Sequence, residues 1–127
     1  MGAIKKNDFI ESIANALQYI SYYHSEDFIL AMKSALEVER SDAAKDAILQ
    51  ILTNSKLAAY GNRPLCQDTG IVTVFIKQGM NLRWDSDKTI EEMVNQGVRN
   101  AYLDKGNPLR ASIVKNPISE RLNTKDN

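Results

Sequence analysis

Ile71-Val72-Thr73-Val74-Phe75-Ile76 is the stretch that decides the fold. Every position is β-branched or aromatic, so the run reads as a strand covered on both faces rather than a half-wet edge. Gly70 precedes it, and Gly79 marks a turn beyond which Leu82 to Trp84 offers a short returning strand. Everything before Gly61 follows a different period.

From Lys6 to Tyr22 the apolar set Phe9, Ile10, Ile13, Leu17 and Ile20 recurs at three- and four-residue spacing, with Asn7 or Asp8 available as a cap. Ser25 precedes Glu26, Asp27 and a second run, Phe28, Ile29, Met32, Ala35 and Leu36, where the early acids suit the positive end of a helix dipole. Ser41 starts a third helix with Ala44, Ala47, Ile48, Ile51 and Leu52 inward, reaching Ala59 before Gly61 and Asn62 stop it. After the short strand, Asp85 to Lys88 offers a cap for a fourth helix, Thr89 to Leu103, with Ile90, Met93, Val94, Val98 and Ala101 inward. Gly97 inside that helix costs about 1 kcal/mol relative to alanine, which points to close approach by another backbone. Gly106 ends the helix, Pro108 forbids its continuation, and Leu109 to Val114 reads as another strand.

The fold class is therefore α+β, a helical N-terminal layer of three helices followed by a small sheet and a fourth helix. Residues 1–127 form a single domain or part of one. Two or three strands make a poor sheet for the apolar surface of Ile71 to Ile76, because an unpaired buried strand strands its backbone donors and acceptors. The incomplete sheet implies a truncated larger domain whose missing strands come from further polypeptide or a partner.

Acidic and basic residues balance at 16 each, which gives no reason to expect nucleic acid or an anionic membrane as partner. No apolar stretch approaches the roughly 18 residues of a membrane span. The single cysteine makes no internal disulfide, and a cytoplasmic setting is the expectation for such a thiol.

That cysteine lies in Pro64-Leu65-Cys66-Gln67-Asp68-Thr69-Gly70, between a helix end and the apolar strand. A soft metal ligand is followed at once by an amide, a carboxylate, a hydroxyl and a glycine, groups able to grip or deprotonate a small polar substrate. A lone cysteine is more often a small buried hydrophobe, but Asp68 two residues on is hard to bury without use. A thiol nucleophile would want a histidine, and the sole histidine, His24, falls in the polar gap between two helices, where it reads as solvated linker. The second candidate is Gly106-Asn107-Pro108-Leu109-Arg110, where a guanidinium leaving a rigid turn suits a carboxylate or phosphate; a surface salt bridge is the commoner use of an arginine. Lys45 with Asp46, and Glu91 with Glu92, read as solvated helix faces.

These two segments, with the Ala44-Lys45-Asp46 helix before them, the run Ala111-Ser112-Ile113-Val114 and the final Asn123-Thr124-Lys125-Asp126-Asn127, resemble the N-terminal part of class I iron-sulfur fumarate hydratases and the related alpha subunits of tartrate dehydratases. The likeness covers nearly the whole chain. It implies a hydro-lyase interconverting fumarate and malate, with one dehydrating tartrate to oxaloacetate as the nearest alternative, and a four-iron four-sulfur (4Fe-4S) cluster held by three cysteines. It implies that Cys66 is the first cluster ligand, that Gln67 and Asp68 face the substrate with Asp68 next to the reacting carbon, and that Arg110 binds a substrate carboxylate. It also implies a small dicarboxylate as ligand, the rest of the enzyme or a beta-type subunit as partner, and a homo-oligomer. The family's other cluster cysteines lie beyond Asn127, so the resemblance makes these 127 residues an inactive piece of a larger subunit. Two rivals stand beside it: a non-catalytic module pairing through a strand edge, and a redox-responsive thiol protein.

Overall fold

The computed structural model describes residues 2–66, 71–104, 106 and 109. The chain divides into two compact units, Met1–Gln18 with Gln67–Asn127, and Tyr19–Cys66.

In the first unit, β1 (Ile4–Lys5) pairs in parallel with β2 (Trp84–Asp85), Ile4 opposite Trp84 and Lys5 opposite Asp85. The Ile4 amide donates to the Arg83 carbonyl at 2.9 Å. The chain runs straight from β1 into α1 (Lys6–Tyr22), whose first residues belong to this unit. The Lys6 ammonium meets the Asp87 carboxylate at 2.7 Å, and the Phe9 ring meets Trp84 edge-on with centroids 4.9 Å apart. Lys6 is the donor that holds the Asp87 carboxyl below its usual range.

α4 (Ile90–Leu103) opens on a capping box. The Thr89 hydroxyl accepts from the Glu92 amide at 3.2 Å, while the Glu92 carboxylate accepts from the Thr89 amide at 2.7 Å. Two of the first turn's orphan donors are thereby satisfied. The cap is Thr89 itself rather than a residue of Asp85 to Lys88, and Glu92, exposed as expected, has this structural task as well. The core joins Ala14 and Leu17 of α1 to Val98 and Ala101 of α4, with Ile13, Val72, Val94 and Tyr102 packed against them. Met93 and Ala101 are fully buried. Burial pushes the Tyr102 hydroxyl up, since the phenolate would be poorly solvated there.

Residues 71–79 form no helix or strand among the described residues, where the sequence predicts a strand covered on both faces. Alternation persists over part of the run: Val72 and Val74 are half-buried and Ile71, Thr73 and Phe75 exposed, Phe75 at 93%, but Ile76, which would continue the inward face, is exposed too. Val72 packs against the α1–α4 core, and Phe75 meets no cover among the described residues. Of the expected strand Leu109 to Val114 only Leu109, which is buried, falls within the described residues.

In the second unit, α2 (Glu26–Val38) packs on α3 (Asp42–Gly61). The turn between them is drawn tight by the Glu39 carboxylate, which accepts from the amides of Arg40 at 2.7 Å and Ser41 at 2.9 Å. Those two bonds, the Ser41 one foremost, hold the Glu39 carboxyl below its ordinary range. Ser41 caps α3 through the Ala44 amide, and Asn62 ends it in the left-handed region at φ 46°. Asparagine tolerates that conformation better than most side chains. The expected starts of the second and third helices hold, and the third extends to Gly61. The α+β class holds as well: helices stand before and after a small, open, two-stranded sheet among the described residues. No helix of the described residues is long and apolar enough to cross a membrane.

Candidate functional site

Cys66 lies at the end of a short segment that leaves α3, and backbone contacts fix where that segment runs. Asn62 in the left-handed region reverses the chain, and the Arg63 amide returns to the Ala58 carbonyl at 3.1 Å. The Leu65 amide then donates to the Ser21 carbonyl at 2.8 Å, and the Asn54 side-chain amide donates to the Leu65 carbonyl at 3.3 Å. Both polar groups of Leu65 are thus engaged one residue before the thiol. Pro64 and Leu65 are half-buried, and Cys66 itself is exposed.

An exposed thiol presented by a pinned backbone suits capture of a metal or an electrophile; a sulfur sealed among aliphatic neighbours does not. The bland alternative for this residue, a small buried hydrophobe, is therefore set aside by its exposure. Neither Asn54 nor Ser21 is marked in the sequence, because contacts to Leu65 from 11 and 44 positions away leave no local pattern.

Gln67, Asp68 and Arg110, the expected substrate-facing residues, lie outside the described residues. Among the described residues no three His, Cys, Asp or Glu side chains gather closely enough to hold a metal ion. Since the whole chain contains one cysteine, Cys66 supplies a single thiolate to any cluster, and the residues present do not by themselves fit a 4Fe-4S group.

His24 is not the solvated linker that its neighbours in sequence imply. It is half-buried, its ring stacks on Phe28 with centroids 4.2 Å apart, and its Nδ1 is buried with no hydrogen-bond partner among the described residues.

The family model described as fumarate hydratase (Fumerase) matches residues 10–127. The putative L(+)-tartrate dehydratase subunit alpha of Methanocaldococcus jannaschii is 36% identical over 102 residues, covering 80% of this chain and 35% of that protein. The L(+)-tartrate dehydratase subunit alpha of Escherichia coli O157:H7 is 30% identical over 121 residues, 95% of this chain and 38% of its own length. The anaerobic class I fumarate hydratase of Escherichia coli K12 is 34% identical over 89 residues, 65% of this chain and 16% of its own. The chain therefore spans little more than a third of the tartrate dehydratase alpha subunits it matches.

Proposed function

The chain belongs to the fumarate hydratase (Fumerase) family, and from that membership we propose that the full-length protein is a hydro-lyase acting on a four-carbon dicarboxylate, with L(+)-tartrate as its substrate. The observation that carries the substrate is coverage: the two tartrate dehydratase alpha subunits align with 80% and 95% of this chain, and the class I fumarate hydratase with 65%. Fumarate, hydrated to malate, is the second reading, favoured by the family's description and by that fumarate hydratase relative.

Dehydration of tartrate removes a proton from one carbon and a hydroxyl from its neighbour, and the enol so formed tautomerises to oxaloacetate. Such a reaction needs the substrate carboxylates neutralised and held, a group to carry the proton, and stabilisation of the charge that develops. Arg110 binds one carboxylate through its guanidinium fork. Asp68 carries the proton at the reacting carbon, and the Gln67 amide orients the substrate beside it. Cys66 would supply one thiolate to a 4Fe-4S cluster in the full-length protein, the other ligands coming from polypeptide outside these 127 residues. Its exposure at the end of a fixed segment supports that role.

The test is turnover by the anaerobically prepared full-length protein, with oxaloacetate measured from L(+)-tartrate and malate from fumarate. A kcat/KM for tartrate at least tenfold above that for fumarate is expected. Malate formation without oxaloacetate would move the assignment to fumarate, and turnover of neither would reject the hydro-lyase reading. Asp68→Asn is expected to lower kcat with little change in KM; an unchanged kcat removes Asp68 from the proton-carrying role.

A further inference from the structure

The cleft between α2 and α3 has no part in the chemistry above. It encloses about 580 Å³ within the second unit, and Ile29, Leu49, Leu52 and Ala59 give it an apolar lining. Lys33 of α2 and Lys56 of α3 stand on it, both exposed, and neither forms an ion pair among the described residues. The Lys56 ammonium lies 5.9 Å from the centroid of Tyr60, itself 81% exposed. No carboxylate lines the cleft.

We propose that this cleft seats an acidic amphipathic helix from the part of the polypeptide that these 127 residues do not span, an inference that rests on the family reading. Three observations support it. The lining runs from Leu49 to Tyr60 along α3, about 16 Å at the rise of an α-helix, which is the length of three turns laid in a groove rather than of a compact small molecule. Two unpaired ammonium groups flanking apolar side chains call for carboxylates flanking apolar side chains on the occupant. A second copy docked face to face would instead bring four ammonium groups together, which disfavours self-association through this surface. The tartrate dehydratase alpha relatives, nearly three times the matched length, carry enough further chain to supply the helix.

Two measurements on the full-length protein test it. Carbodiimide cross-linking, which joins lysine amines directly to carboxylates, is expected to link Lys33 and Lys56 to Asp or Glu residues outside the 127, within one polypeptide. A maleimide is expected to label Leu49→Cys, followed by peptide mass spectrometry, at least tenfold more slowly in the native protein than in urea. The added pair Lys33→Glu and Lys56→Glu is expected to recover at least threefold of that rate. Cross-links between isotopically mixed copies, cross-links to a separate subunit, absence of cross-links, or labelling slowed by less than tenfold each overturn the proposal. Turnover of tartrate or fumarate by a protein whose cleft labels freely would sink this inference and leave the family reading intact. A covered cleft without turnover would do the reverse.

Discussion

Gly97 of α4 faces Ile13 of α1 so closely that a β-carbon at residue 97 would stand 2.7 Å from the Ile13 Cβ, 2.8 Å from its Cγ2 and 2.9 Å from the Ile10 carbonyl oxygen. None of those atoms is the far end of a flexible side chain, so the helices have to part to admit even a methyl group. Alanine gains about 1 kcal/mol over glycine in helix propensity, while overpacking a well-filled core costs about 1–3 kcal/mol. With rigid atoms on the opposing side the second effect wins, and Gly97→Ala is expected to destabilise the chain by up to about 2 kcal/mol. Urea denaturation reads this directly. In an Ile13→Ala background, which removes the Cγ2 contact but not the other two, the same change is expected to cost less. A stabilised Gly97→Ala variant would show that the two helices do not touch there.

The same glycine shows what a sequence makes legible. Its cost inside a helix announces a close approach but cannot say to what, and Ile13 lies 84 positions away. The starts of α2 and α3 are readable because Ser25 and Ser41 directly precede them, whereas α1 begins at Lys6, ahead of the expected caps Asn7 and Asp8, and the cap of α4 is Thr89 rather than a residue of 85–88. The inward face of α4 was readable because Met93, Val98 and Ala101 repeat at helical spacing. Small buried residues such as Ala14, Ser55 and Ala58 carry little hydropathy signal, although they are where close helix packing is most permissive. The β1–β2 pair was missed because two-residue strands 80 positions apart leave no periodicity. The Ile71 to Ile76 run declares strand character, yet pairing depends on a neighbour its own residues do not name. Of the candidate site, the thiol's place in a loop is legible and is found; Gln67, Asp68 and Arg110 stand out by side-chain chemistry, but their roles come from family resemblance and their positions lie outside the described residues.

Leu17 and Ile20 belong to one apolar stripe by spacing, but the structure separates them. Leu17 is 7% exposed in the α1–α4 core, and Ile20 is 63% exposed. Leu17→Ala is expected to cost about 2–4 kcal/mol, from lost burial and the cavity left behind. Ile20→Ala in the same chain is expected to fall within about 0.5 kcal/mol of the parent. Equal losses in thermal denaturation would mean that the stripe continues through the end of α1.

The capping box of α4 gives a pH dependence of known sign. The Thr89 amide, then its hydroxyl, hold the Glu92 carboxyl below the ordinary glutamate range. A carboxyl with a depressed folded-state pKa contributes stability above its unfolded pKa, and that contribution is lost as pH falls through the folded value. Melting temperature is therefore expected to drop on acidification below about pH 4.3, the ordinary glutamate pKa, and Glu92→Gln is expected to flatten the part of that drop due to the cap. Thr89→Ala is expected to cost about 1 kcal/mol near neutral pH, as the loss of an N-cap hydroxyl does elsewhere. A pH profile identical in parent and Glu92→Gln would show that the box does not form in solution.

Cys66→Ser separates the structural role of that residue from the chemical one. Because the side chain is exposed and serine is nearly isosteric, the substitution is expected to change denaturation midpoints by no more than about 0.5 kcal/mol equivalent. The backbone contacts that fix the segment, from Leu65 to Ser21 and from Asn54 to Leu65, do not involve the sulfur and are expected to survive. Iron binding is expected to behave otherwise. After anaerobic reconstitution of the full-length protein with iron and sulfide, the parent should retain a cluster through gel filtration and the serine variant should lose most of its iron, since an alkoxide is a poorer ligand for iron than a thiolate. A variant that keeps the parent's iron content and visible absorbance removes Cys66 from the ligand set, and with it the reason for fixing the backbone one residue upstream of an exposed thiol.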